Sequence, residues 1–268
     1  MPPEQTVERA WRYAPVMGIT RVANVTGLDS IGIPVVMVCR PNARSVAVAQ
    51  GKGADLATAR ASGLMESVEG YHAETIMLPL RLCSYEELRH TRTVVDPWRL
   101  PRARTSGLSP ETRLLWVEGR DLLNEESVFV PYELVHTDYR WPPLPGAGCF
   151  LASSNGLASG NHVLEAISQG ICEVVERDAT IRWSRLPRQE RERTRIDPGG
   201  VDDPLCLRVL EKFESAGIEV EVWDTTTDVG LASFACDIRP RLEESLRPLP
   251  PAQGMGCIRP APQPCCER

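Results

Sequence analysis

No run of about 18 apolar residues, the length that marks a membrane-spanning helix, occurs in this 268-residue chain, so no such helix is expected. The opening MPPEQTVERAWRYAP lacks a basic segment followed by an apolar one. Without that secretory pattern the protein is expected to be soluble and cytoplasmic. Nine cysteines in a chain too long to need staples lean towards reduced thiols rather than a disulfide framework; they include no Cys-x-x-Cys pair, and a metal site would need closer grouping than they show. Cys39, Cys83, Cys149, Cys172, Cys206 and Cys236 lie in or beside apolar runs and read as buried, reduced thiols. A basic excess is also missing: the net charge is −6 and the pI near 5.4, against the basic face of a nucleic-acid binder. The arginine-rich stretch Arg182 to Arg195 reads as a solvated, partly disordered loop. Finally, GxxxxGK[ST] is absent, so a P-loop is excluded.

What is present is an ordinary globular composition, 42% hydrophobic and 25% charged, long enough for one large domain or two small ones. Two β-branched runs, 21–25 and 33–38, separated by turn residues, predict a strand pair, and 45–50 predicts a third strand ending at the glycine-flanked Lys52. From Ala54 to about His72 the apolar spacing is helical. Ser84 and Glu87 have capping-box spacing for a second helix. LLWVEGRDLL and SVFVPYELV read as strands, PPLPG as a stiff connector and His162 to Trp183 as a helix. DPLCLRVLEKFESAG predicts a helix stopped by Gly217, and IEVEVWD and GLASFACDI predict strands. A domain over 1–240 and a Pro-rich, disordered tail over 241–268 follow.

The chain also repeats itself. GKGADLATARASGLMESVEGY aligns without gaps on ASGNHVLEAISQGICEVVERD, 107 residues later. Gly53 meets Gly160, Ala59 meets Ala166, Gly63 meets Gly170, and Glu66 and Glu69 meet Glu173 and Glu176. Each copy predicts a glycine loop followed by a helix. Residues at i and i+3 are neighbours on a helix, so each pair puts two repelling carboxylates on one face. A lone Glu-x-x-Glu is an ordinary solvated helix face. Matched pairs beside Lys52 and Arg177 instead suit a hard cation such as magnesium, which takes carboxylate and phosphate oxygens. Lys52 and the amides near Gly160 and Asn161 are placed to meet those phosphates.

These residues resemble the YcaO family. SVAVAQGKGADLATARASGLMESVEGYHAE and SSNGLASGNHVLEAISQGICEVVERDA carry the likeness, and GITRVANVTGLDSIGIPVVM is similar to the lead-in of its TfuA-associated branch. The resemblance spans roughly Gly18 to Ile238. It implies an α+β fold of two related halves with ATP and magnesium between them. Implied too is ATP-dependent activation of a backbone amide in a peptide or protein substrate, giving an azoline or, with a sulfur donor and a TfuA-like partner protein, a thioamide. A homodimer is an assembly it allows; no nucleic acid or membrane partner is implied. By resemblance, Glu66, Glu69, Glu173 and Glu176 hold magnesium, and Lys52, Ser62, Asn161, Glu165, Gln169 and Arg177 contact ATP. No catalytic side chain is assigned.

Two departures from the family pattern stand out. Gly70 occupies the place of a motif arginine, and the expected C-terminal block, a turn and a long helix, is replaced by PLPPAQGMGCIRPAPQPCCER, as in a truncated or frame-shifted chain. They keep open a second expectation, an inactive remnant that binds a peptide or partner. A third, an accessory role in ribosomal protein methylthiolation, rests on a label often given to the family.

Overall fold

A computed structural model describes residues 1–241 and 251–258. The chain opens with α1 (Pro3–Trp11) and the single turn α2 (Ala14–Met17), followed by β1 (Arg21–Asn24), β2 (Val35–Cys39) and β3 (Val48–Lys52). These three strands form an antiparallel sheet with β2 in the middle. Val36 and Val38 on β2 are fully buried because both edges of that strand are paired and one face is covered by α3 (Leu56–Glu74). The Val38 side chain, with Leu64 from the helix and Ala10, Ala14 and Met17 from α1 and α2, makes the first core, and Val36 lies against Gly63 of α3.

A second antiparallel sheet contains β4 (Leu80–Ser84), β5 (Arg113–Asp121) and β6 (Glu126–Pro131), with α4 (Tyr85–Arg89) leaving β4 directly. The predicted capping box starts α4: Glu87 N–H donates to Ser84 Oγ at 3.1 Å, and Ser84 N–H donates to Glu87 Oε2 at 2.8 Å. Trp116 on β5 is fully buried, and its indole N–H donates to the Cys83 carbonyl at 3.0 Å. A buried indole needs such an acceptor.

The remaining elements are α5 (Val163–Ser184), α6 (Arg188–Arg193), β7 (Arg195–Ile196), α7 (Pro204–Ser215), β8 (Ile218–Asp224), β9 (Ser233–Pro240) and β10 (Ala252–Cys257). The four strands form an antiparallel sheet in the order β10-β9-β8-β7, on which α5 packs. Asp203 caps α7 through the Leu205 and Cys206 amides, and Gly217, at φ +68°, closes it in the left-handed conformation that suits glycine.

The expected strand pair, the helices of the repeat and the strands of the last sheet are all present. Three expectations are corrected. The arginine-rich stretch is not a loop throughout: α6 forms there, and the Arg191 guanidinium lies 5.3 Å over the Trp183 ring. Cys206 is exposed, while Cys149 and Cys172 are buried. Within the stretch expected as a disordered tail, residues 252–257 pair along β9; the rest of it, 242–250 and 259–268, lies outside the described residues.

Candidate functional site

The repeat is a repeat in geometry as well. Asp55 and His162, 107 residues apart, are the N-caps of α3 and α5; Asp55 Oδ1 accepts from Thr58 N–H at 2.7 Å, and His162 Nδ1 from Leu164 N–H at 3.1 Å. Just before each cap, a Cβ placed on Gly53 or Gly160 would stand 2.7 Å from the amide nitrogen of Ala59 or Ala166. No real Cβ comes so close, so both turns require glycine.

Gly51 has a different cause. A Cβ there would lie 2.0 Å from the Ala59 carbonyl oxygen and 2.2 Å from Gly63 N. The glycine lets β3 touch the α3 backbone, and Lys52 is consequently the last residue of β3 rather than part of a free loop.

Along α5, Glu165, Gln169 and Glu173 follow one another at intervals of four and Glu176 continues the row, while Asn161 lies just before the N-cap His162. At 1.5 Å per residue the helical part of this stripe is about 16 Å long, the dimension of an extended ligand rather than a single ion. The N-terminal end of the stripe is held by protein. Asn161 Nδ2 donates to Thr6 Oγ1 at 3.1 Å, Arg9 donates to the Asn161 carbonyl at 3.1 Å, and Asn161 N–H donates to Glu165 Oε2 at 2.8 Å. Gln169 and Ser62 are exposed.

At the other end the carboxylates feel one another. Glu69 is pushed up to about 7, first by loss of water and then by the charges of Glu173 and Glu66, against hydrogen bonding from Ser159. Glu66 is raised by desolvation even though its side chain remains accessible; the Gln50 N–H, 3.3 Å from Oε2, and Lys52 oppose the shift. Glu176 is raised by desolvation, with Arg177 opposing and Glu173 adding to it. Glu173 accepts from Gly156 N–H at 3.2 Å and from Arg177 Nη2 at 3.3 Å.

Thus Glu66, Glu69, Glu173, Glu176, Lys52 and Arg177 are electrostatically joined, whereas Ser62, Asn161, Glu165 and Gln169 are not drawn into that network. Among the described residues no group of three His, Cys, Asp or Glu side chains forms a ready-made metal cage. Magnesium does not need one, because it keeps several waters and binds through one or two carboxylates plus substrate phosphates.

Two features fit magnesium with ATP. Loss of water, and after it the charges of Glu173 and Glu66, raise the Glu69 carboxyl to about 7, a cost that a divalent cation offsets. Arg177 Nε is buried with no hydrogen-bond partner among the described residues, although buried donors are usually satisfied. A phosphate oxygen would supply the missing acceptor.

Sequence reasoning missed Ser159, Gly156 and Gln50, which reach the glutamates from neighbouring segments, and also Arg40. The Arg40 guanidinium shares with Glu66, Glu69 and Gly70 a cleft of about 200 Å³. A backbone amide has no sequence signature. Arg40 is separated from Glu69 by the whole of β3 and half of α3, so local spacing could not have found it.

Two matched helices bearing coupled carboxylate pairs, one beside a half-buried arginine whose Nε has no partner among the described residues, define an α+β protein of the ATP- and magnesium-binding kind. The chain belongs to the YcaO cyclodehydratase, ATP- and Mg2+-binding family, which it matches over residues 50–263. It is 37% identical over 242 residues to an uncharacterized protein in the tfuA 3' region of Rhizobium leguminosarum bv. trifolii, covering 89% of this chain and 56% of that protein. The chain spans between 53% and 59% of the length of the curated relatives it matches.

Among solved structures, a heterocyclase in complex with substrate and cofactor shares the fold at a TM-score of 0.78 and 23% identity, over 96% of this chain and 38% of that one. The YcaO protein of Methanopyrus kandleri, bound with AMPPCP and Mg2+, shares it at 0.67 and 23%, over 96% and 62%. The expected family and fold class are thereby shown. No helix among the described residues is long and apolar enough to cross a membrane.

Proposed function

We propose that this chain carries the nucleotide half of a machine that activates a backbone amide of a peptide substrate, with thioamide formation as its reaction and a TfuA-like protein as its partner. The observation that carries the reading is the coupling of Glu69 to both Glu66 and Glu173, which joins the two copies of the repeat into one carboxylate cluster. The relative in a tfuA 3' region supports the partner and, through it, sulfur transfer over ring closure.

Bound ATP supplies a phosphoryl group that converts the amide oxygen, a poor leaving group, into a good one. The residues of this chain hold and orient. Glu66, Glu69, Glu173 and Glu176 would hold magnesium; Lys52 and Arg177 would meet phosphate oxygens, Arg177 through the Nε–H that has no partner among the described residues. Ser62, Asn161, Glu165 and Gln169 would extend the contact along the two helices. Asn161 is already fixed by Thr6 and α1, so it would present its surface without a reorganisation cost.

Calorimetry with ATP tests the reading: binding should require magnesium and be lost in Glu173→Gln and Glu176→Gln. Folded wild-type protein that takes up no ATP would overturn it. Gly70 favours a second reading, a member that binds peptide or partner without turnover. That reading expects peptide binding indifferent to ATP and magnesium.

A further inference from the structure

In the second copy of the repeat the residue after the glutamate pair is Arg177, and the equivalent residue in the first copy is Gly70. That place is already filled. A Cβ on Gly70 would lie 3.3 Å from Nη1 of Arg40, which reaches it from the end of β2. We propose that Arg40 contacts the anionic ligand beside the first carboxylate pair, as Arg177 would beside the second, Gly70 being the residue that gives it room. The proposal rests on the nucleotide reading above and adds a binding residue to it.

Arg40 is 6% exposed and firmly held. Nε donates to the Met17 carbonyl at 3.1 Å, Nη1 to the Ser67 carbonyl at 3.4 Å and Nη2 to Glu74 Oε2 at 2.8 Å, while the guanidinium stands 5.4 Å over the Tyr71 ring. A guanidinium has five N–H donors. The remaining two have no acceptor among the described residues, and Nη1 is the nitrogen next to Gly70 in the cleft that Glu66 and Glu69 also line.

Pairing with Glu74 does not disqualify Arg40 from this role, since Arg177 is likewise paired, with Glu173. It fixes the donors in advance, which is what an anion site requires. With three acceptors around it Arg40 cannot retreat, so an arginine at position 70 would press a second guanidinium against the first.

The same contacts could serve only to tie β2 to α3, and the experiment must separate the two roles. Arg40→Met alone leaves Glu74 buried and unpaired, a strongly destabilising change. The double variant Arg40→Met/Glu74→Gln removes both charges, nearly keeps the volume and leaves Oε1 to accept from Ser45 N–H and Oγ–H. In calorimetry with ATP and magnesium it should bind about 10- to 100-fold more weakly than wild type, the range of one charge-assisted hydrogen bond, with its thermal midpoint retained. Adding Gly70→Arg to that background should restore the affinity.

Wild-type affinity in the double variant, or no restoration on adding the arginine, would overturn the proposal. Gly70→Arg in the wild-type background keeps Arg40 and Glu74, and so tests the proposal whether or not the double variant folds. It should bind ATP no more tightly than wild type; a tenfold gain would show that the first half simply lacks a cation. Wild-type protein that binds no ATP would instead defeat the nucleotide reading itself, a separate outcome from these.

Discussion

Gly53 and Gly160 stand 107 residues apart and are interchangeable in one respect: a methyl group on either would sit 2.7 Å from the amide nitrogen of the residue six positions on. Each closes the turn that launches a glutamate-bearing helix. Replacing either by alanine should cost about 1–3 kcal/mol, the usual penalty of overpacking. Gly51→Ala should cost more, because its methyl would run into backbone at 2.0 Å on an element that cannot move alone. Urea denaturation of the three variants checks the order, with Gly51→Ala the least stable.

Glu69 makes stability depend on pH in an unusual direction. Its carboxyl is raised from 4.5 to about 7 in the folded protein, by desolvation and by Glu173 and Glu66. The folded state therefore keeps this proton to higher pH than the unfolded chain does. Its contribution to stability is full below about 4.5, is lost as pH rises, and becomes a constant deficit above about 7. Discounted for the solvent that the site admits, the deficit is on the order of 1 kcal/mol. Glu69→Gln removes it, so without ligand the variant should melt at a higher temperature than wild type at pH 8 and at nearly the same temperature at pH 5. Adding ATP with magnesium at pH 8 should stabilise wild type and leave the variant almost unmoved.

The helices of the repeat were legible because their signals are local: an apolar period, a cap and a glycine within a few residues of one another. The glutamate pairs became legible only through the comparison of the two copies. What escaped was whatever is fixed at long range. β10 reads AQGMGC, without a β-branched residue, and is a strand because β9 offers an edge for six residues to pair along. In α6, RQERER has no apolar period; it lies beside Trp183, which Arg191 covers. Arg40 finds its acceptors 23, 27 and 34 residues away. Its neighbours Pro41 and Asn42 read as a turn and give no hint of a buried charge.

Glu133 shows how such a long-range contact shapes the site. Its carboxylate accepts the N–H groups of Gly148 at 2.6 Å, Cys149 at 3.1 Å and Phe150 at 3.1 Å. These start the segment that later brings Gly156 to Glu173 and Ser159 toward Glu69. Glu133→Ala should leave up to three amides without their acceptor and cost about 3 kcal/mol, since each unsatisfied group costs ~1–3 and water repairs the exposed one. The midpoint in urea should fall accordingly. ATP affinity should fall as well, although Glu133 lies in the turn that follows β6 and not on either glutamate helix.

Arg177 offers the sharpest division between charge and geometry. Its Nη2 pairs with Glu173 at 3.3 Å, its Nη1 rests on the Met255 sulfur at 3.3 Å, and its Nε is buried without a partner among the described residues. If the Nε–H is the donor that a phosphate oxygen completes, a lysine cannot replace it, because a lysine carries one point charge and no planar fork. Arg177→Lys should keep much of the charge that opposes the upward shift of Glu176, and so preserve the fold, yet bind ATP about 10-fold more weakly, in line with one lost hydrogen bond to a charged group. Arg177→Met should lose that bond and the charge together, weakening binding further and steepening its dependence on pH as Glu176 rises. If calorimetry gave Arg177→Lys the affinity of wild type, charge alone would be at work and the buried Nε would need another partner.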